Sequence, residues 1–290
     1  MRWPRIEKQD DWSIATWISQ SPLDVSGVPA KPNLTRWQVT DVKAGFIADP
    51  FLFRQADRYH LFFEVLNRKT KKGEIGHAES LDGLAWRYSQ IVLREEFHLS
   101  YPFVFEFEGV IYLMPECSES GVQHLYAADE FPFRWRKIAP PIESALVDAS
   151  LVRHEGLWWM FAGIGSASDT TLNVFSASNP AGPWTPHPEN PVRCRPERMC
   201  RPGGRPTVCD GRLLLFTQDC SRRYGYGLRA CEVLQLDLAA YEERALSEDP
   251  LLVATGRGWN SHGTHHLDSL PLGGGTWLLA TDGNHRSLLY

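Results

Sequence analysis

The sequence predicts an all-β protein, a single five-bladed β-propeller over residues 1–290 with blades of four antiparallel strands. Three observations predict it: a hairpin pattern occurs five times, its copies are evenly spaced, and helical periodicity is scarce. Each copy has a polar head residue, a short apolar strand, a turn carrying Gly or Asp, and a second apolar strand. The hairpin cores fall near residues 48–64, 100–116, 147–163, 204–218 and 264–281. Subtracting the numbers of their heads, Asp49, Tyr101, Asp148, Arg205 and His265, gives intervals of 52, 47, 57 and 60 residues. That is the length of a four-stranded blade with its loops.

The elements follow in order. The first hairpin pairs residues 48–53 with 59–64 around Asp57, and the second pairs 100–105 with 111–116 around Gly109. In the third, residues 147–152 turn at Gly156 into 158–161, and in the fourth 204–208 turn at Asp210-Gly211 into 213–216. The fifth runs from 264–270 through three glycines into 277–279. Outer strands read at 74–80, 124–128 and 173–178, each followed by a tryptophan, Trp86, Trp135 or Trp184, expected to pack between blades; 229–236 with Tyr241 is a weaker fourth. The fifth copy reaches Tyr290 without outer strands, so residues 12–17 are expected to complete it and join the two chain ends. The best helix candidate, residues 238–246, is short.

Composition excludes several classes. Of 290 residues, 43% are hydrophobic and 22% charged, enough for a buried core and too apolar for disorder. A formal charge of −5 offers no basic excess for a phosphate backbone, so nucleic acid is not an expected partner. No export signal and no long apolar run is read, which predicts a cytoplasmic chain without membrane insertion. The six cysteines are then expected as free thiols. Cys194, Cys200, Cys209 and Cys220 cluster, yet without the C-x₂₋₄-C pair of structural zinc sites. No G-x-S-x-G and no recognisable Cys–His arrangement points to a serine or cysteine nucleophile.

In a propeller the innermost strands line a central channel, so the head residues converge on one cavity. Asp49 and Asp148 are candidates for catalysis, or for capping strand ends. Glu64 and Glu116 close the second strands of their hairpins, where Gly163 and Gln218 stand in the third and fourth copies. A carboxylate after an apolar run is desolvated and its pKa rises toward proton donation; an ion pair with an arginine is the alternative. Arg201-Pro202-Gly203-Gly204-Arg205-Pro206 either grips an anion or pairs its arginines with Asp49 or Asp148 across the channel. His262, His265 and His266 lie at a loop–strand junction, and strand alternation sends His265 and His266 to opposite faces. Tyr101 and Trp259 are read as aromatic groups that stack on a sugar ring.

Residues 48–51, 74–86 and the blade-five histidines resemble the five-bladed propeller superfamily of arabinanase, β-xylosidase, invertase and levansucrase enzymes. Residues 97–105, 201–206 and 259–266 resemble the N-terminal domain of the glucosamine inositolphosphorylceramide transferases and its stand-alone bacterial relatives. The glycosidase resemblance implies Asp49 as base or nucleophile and Asp148 as the orienting carboxylate. It also implies a blade-four glutamic acid, where this chain has Gly203-Gly204-Arg205, so Glu116 or Glu64 would have to donate the proton. It implies a blade-five histidine beside an axial calcium or water; calcium prefers oxygen ligands, and no metal or other cofactor is assigned.

The expected function is accordingly a carbohydrate-active protein, glycosidase-like or sugar-transferring, acting on a glycan or glycolipid through Asp49, Glu116 and Asp148. Glu64, Tyr101, Arg205, His262, His265, His266 and Trp259 are the expected substrate contacts. The alternative is a non-catalytic sugar-binding or scaffold module serving a partner glycosyltransferase.

Overall fold

Alternating apolar strands with tight turns build five antiparallel sheets around one axis. The structure is a computed structural model that describes residues 7–289; the ends of the expected 1–290 domain lie outside the described residues. The chain opens with β1 (Glu7–Ser19). Blade one is β2 (Ala44–Gln55), β3 (Arg58–Asn67), β4 (Lys72–Ser80) and β5 (Arg87–Leu93), and blade two is β6 (Ser100–Phe107), β7 (Val110–Glu116), β8 (Gln123–Glu130) and β9 (Arg134–Ile142). Blade three has β10 (Leu146–His154), β11 (Leu157–Ile164), β12 (Thr171–Ala177) and the short β13 (Thr185–Pro186), with β14 (Arg193–Cys194) also on β12. Blade four has β15 (Thr207–Cys209), β16 (Arg212–Asp219), β17 (Gly227–Leu236) and β18 (Tyr241–Ala245), with β19 (Leu252–Val253) also on β17.

Blade five holds β20 (Leu267–Gly273), β21 (Thr276–Leu289) and β1, in the order β1-β21-β20. Among the described residues it has three strands rather than the expected four. The N-terminal strand does close the ring, pairing antiparallel with β21 from Glu7 opposite Leu289 to Ser19 opposite Trp277. The helix candidate at 238–246 is instead a turn leading into β18. Its apolar residues fit β pairing with β17, and among the described residues helix is confined to four 3₁₀ turns of three residues each.

The core lies in the wedges between blades, because strand alternation sends successive side chains to opposite neighbours. In β21, Leu278 and Ala280 pack toward blade one while Leu279 packs toward blade four. Phe62 of blade one meets Trp135 of blade two edge-on, with ring centroids 5.8 Å apart. Trp86 donates its indole N–H to Thr16 Oγ1 of β1 at 2.9 Å, tying blade one to blade five. Each fully buried Phe or Leu in these wedges stabilises the ring by about 1.5–3 kcal/mol.

The inner strands share a local device. In β2, β6 and β10 two residues oppose one at the head of the hairpin, between Ala48 and Phe51, Ser100 and Phe103, and Val147 and Ser150. The first bulged residue has a left-handed backbone in each case: φ is 53° at Asp49, 45° at Tyr101 and 53° at Asp148. A non-glycine residue there costs on the order of 1–2 kcal/mol, so the neighbouring blades must hold it. They do so through the bonds described next.

Candidate functional site at the channel mouth

Bulging turns the heads inward, and contacts between blades fix them in a ring. Asp282 of β21 accepts the Asp49 N–H at 3.3 Å and the His265 N–H at 3.0 Å. Asp49 in turn accepts the Tyr101 N–H at 3.2 Å. Tyr101 Oη accepts the Gly204 N–H at 2.6 Å and shares a hydrogen bond with Ser150 Oγ at 2.7 Å. Blades one, two, three, four and five are thus linked at one level.

The polar groups at this level are almost wholly buried. Asp148 is gripped by Arg201, with Nε at 2.6 Å and Nη2 at 3.3 Å, and accepts from Gln218 Nε2 at 2.8 Å. His265 Nδ1 lies 2.6 Å from Asp282 Oδ2, and its Nε2 lies 3.7 Å from Asp49 Oδ1. Burial alone would depress the His265 pKa, but Asp282 and then Asp49 outweigh it and raise it to about 9. Asp49 is pushed well above the usual carboxylate range by burial, helped by Glu64, Asp148 and Asp282, with His265 opposing. Glu116 is also raised, chiefly by burial, although its oxygens accept from Ser118 N at 2.9 Å and Ser100 Oγ at 3.2 Å. Glu64 Oε1 takes His98 Nε2 at 3.2 Å, while His98 Nδ1 accepts the Gly73 N–H at 2.9 Å.

An aromatic wall borders this cluster. Trp12 of β1 stacks on His265 with centroids 4.3 Å apart and planes at 25°. Tyr224, on the loop between β16 and β17, sets its ring edge to face with His265 at 5.2 Å, and the Arg201 guanidinium lies 5.4 Å from its centroid. Tyr224 remains 47% exposed, the accessible aromatic surface of the mouth. Asp49, His265 and Asp282 offer ligand atoms within 4.8 Å of one another, a set that could hold a cation.

Of the residues singled out in the sequence, Asp49, Glu64, Glu116, Asp148 and His265 meet at this level. The remaining five are placed differently. Tyr101 is fully buried beneath the mouth, with its hydroxyl occupied, so its ring cannot stack on a ligand. His266 is buried edge-to-face against Phe51 and Tyr101, at 4.6 and 5.2 Å, and burial lowers its pKa to about 3, so it is a neutral packing group. Arg205 pairs with Asp268 at 2.9 Å and donates to Leu52 O and Val104 O at 3.3 and 3.0 Å. The Arg205 guanidinium lies 5.6 and 4.6 Å from the ring centroids of Phe51 and Phe103, so it sits with the buried aromatic layer rather than with the carboxylates. Trp259 is buried and donates its indole N–H to Pro29 O at 3.0 Å, which closes it to sugar stacking. His262 is half-buried, and its backbone carbonyl accepts from Arg223 at 2.6 Å.

The two arginines of the glycine loop therefore part company, each neutralised by an aspartate. The glycines serve the backbone: a Cβ on Gly204, whose φ is 140°, would stand 1.9 Å from Leu267 O of blade five. Sequence reasoning missed Asp282, Tyr224, Trp12 as a wall, and His98. Asp282 carries the same signal as Glu64 and Glu116, a carboxylate after an apolar run, one residue past the hairpin core as drawn. Tyr224 sits in a loop equivalent to those following Glu64 and Glu116, which all open on the ligand face.

Five sheets delivering carboxylates, an imidazole and an arginine to one mouth define the class of five-bladed propellers with a polar channel mouth. Its fold is similar to that of β-1,2-mannobiose phosphorylase from Listeria innocua, with a TM-score of 0.64 over 93% of this chain and 96% of that one, at 12% identity. Within the class, the model of one family, described as "Glucosamine inositolphosphorylceramide transferase 1, N-terminal", matches residues 5–284, and the chain belongs to that family. It is 35% identical over 299 residues to glucosamine inositolphosphorylceramide transferase 1 of Oryza sativa subsp. japonica, covering 95% of this chain. It is 34% identical over 307 residues to the protein of that name from Arabidopsis thaliana, covering 97% of this chain. The chain spans 40% of the length of these relatives.

Proposed function

We propose that the channel mouth binds the sugar of a glycan or glycolipid. One observation carries this reading: a half-exposed tyrosine ring stands over a floor of buried carboxylates, an imidazole and an arginine. A sugar ring has an apolar face and a rim of hydroxyls, and it needs such a platform beside such acceptors and donors. Family membership supports the substrate class. In the non-catalytic form of this reading the domain holds the sugar for a separate glycosyltransferase.

Glycan-array binding followed by calorimetry on a hit tests it. Tyr224→Ala should weaken binding about tenfold, the worth of one aromatic contact, with thermal melting run beside it to show that the variant folds, because the half-exposed ring also packs on His265. Unchanged affinity would sink the proposal.

A second reading, acid catalysis on the bound sugar, is favoured by the raised pKa values of Glu116 and Asp49. A carboxyl that keeps its proton near neutrality is what departure of a sugar oxygen requires. Burial raises both carboxyls, Asp49 further than Glu116, so each is a candidate to hold the proton that is passed to the sugar oxygen. If the protein turns over a glycan, Glu116→Gln should abolish the reaction; turnover surviving both Glu116→Gln and Asp49→Asn removes this reading.

A further inference from the structure

Among the described residues one tryptophan is left in water. Trp37 is 79% exposed, more than any other large apolar side chain, whereas the remaining described tryptophans are buried or half-buried. An indole in solvent forgoes the burial that holds those others in place. Its support and its position set it apart from a stray surface side chain.

The support is rigid. Trp37 lies in a 3₁₀ turn, Arg36–Gln38, on the segment that leads into the mouth end of β2. Thr35 closes the turn, its N–H donating to Gln38 Oε1 at 3.0 Å and its Oγ1 to the same atom at 2.5 Å. Arg36 is turned inward: Nη1 donates to Gly45 O at 2.9 Å, and Nη2 lies 3.3 Å from Asp11 Oδ2 in a buried ion pair. Its guanidinium carbon also lies 4.5 Å from the centroid of the Trp37 ring. A fixed cation against one face of an indole orients the ring, and the high exposure leaves the other face to solvent.

Both anchors of Arg36 lead to the mouth. Asp11 is followed in β1 by Trp12, the ring stacked on His265. Gly45 stands four residues before Asp49 and, with Phe46, is set out of the β2–β3 ladder by the register shift between Ala44 and Ile47. Phe46 is half-buried, so a second partly accessible aromatic residue lies in β2 between the turn and the mouth. A flat aromatic face held beside a polar mouth suits the apolar face of a further sugar ring, whose hydroxyls stay in water.

We propose that Trp37 is an outer carbohydrate subsite, so that the ligand is an oligosaccharide running from the mouth past the start of β2 rather than a single sugar. The proposal rests on the carbohydrate reading of the mouth and adds length to its ligand.

The experiment is calorimetry on the full chain with xylo-, manno- and gluco-oligosaccharides of one to six units, for wild type, Trp37→Ala, Trp37→Phe and Tyr224→Ala, with thermal melting to show that each variant folds. Wild-type affinity should rise with oligosaccharide length. Trp37→Ala should bind the long oligosaccharides about tenfold more weakly and the monosaccharide as wild type does, and Trp37→Phe, which keeps a ring, should retain most of the affinity. Tyr224→Ala should weaken every length. Long oligosaccharides that bind no tighter than the monosaccharide, or that bind Trp37→Ala as tightly as wild type, overturn the subsite; weakening by Tyr224→Ala in that case leaves the mouth standing alone. Weakening by Trp37→Ala with Tyr224→Ala unchanged supports the outer subsite and removes the reading of the mouth. A wild type that binds nothing in the panel overturns both. Sedimentation velocity covers the other occupant: a wild-type dimer that Trp37→Ala dissociates assigns the ring to a second copy of the chain and overturns the subsite.

Discussion

Replacing Arg201 by methionine isolates the strongest contact of the channel mouth. Asp148 is buried to 1% exposure, and its carboxylate is held by two guanidinium nitrogens and Gln218. Arg201→Met leaves that carboxylate with the amide alone. Breaking a buried pair costs about 3–5 kcal/mol, and the 20% exposure of the Arg201 side chain puts the value near the lower end. A 290-residue chain unfolds with an entropy of about 0.6 kcal/mol/K, so a loss of about 3 kcal/mol lowers Tm by about 5 °C. Asp148→Asn removes the charge that Arg201 balances, and Asn keeps an acceptor for Gln218. In the double variant no carboxylate is stranded, so its loss should fall at least ~1.5 kcal/mol short of the two single losses combined. Urea unfolding of the four proteins measures this coupling. Losses that add to within about 0.5 kcal/mol would show that the pair is not the unit holding blades three and four together here.

Two further outcomes are expected. Gly204→Ala should fail to accumulate as folded protein, since its Cβ would collide with the Leu267 carbonyl at 1.9 Å, whereas Gly109→Ala, where a Cβ meets open space, should fold with a loss of about 1–2 kcal/mol from its left-handed backbone; comparable yields and melting for the two would refute the close approach of blades four and five. Stability should fall on both sides of neutrality. His60, His77 and His266 have pKa values lowered by burial to about 4, 3 and 3, so the unfolded chain takes up their protons first, and stability that is complete above pH 6.5 is lost as the pH falls toward these values. His265, raised to about 9, acts in the opposite sense: its contribution is complete below pH 6.5 and disappears as the pH rises to 9. Urea midpoints that stay level from pH 7 to 5 would contradict the acid limb.

The fold was legible because its signal is repetition. Five hairpins with heads at 49, 101, 148, 205 and 265 survive errors in any one strand, and alternation then decides which side chains face inward. The misread stretch at 238–246 was too short for periodicity to separate a helix from β18. In the site, Asp49 and Asp148 were accessible to sequence reasoning because each heads a regular hairpin. The blade-four head was not. Gly204 has a backbone open only to glycine, and the two arginines flanking the glycine pair go to different levels of the channel, a distinction residue types cannot carry. Tyr224 and Trp12 reach the mouth from a loop and from the far end of the chain, so only the closed ring shows them beside His265.

Closure by the two ends of the chain has a bearing on how the protein is made. The partner of β1 begins at Thr276, 257 residues after Ser19 leaves the ribosome. At about 5–20 residues per second, that strand waits on the order of ten to fifty seconds with an unpaired edge and Trp12 uncovered. Only as the last blade emerges does the waiting strand zip to β21 and press its indole against His265. The aromatic wall of the mouth is consequently one of the last parts of the propeller to be built.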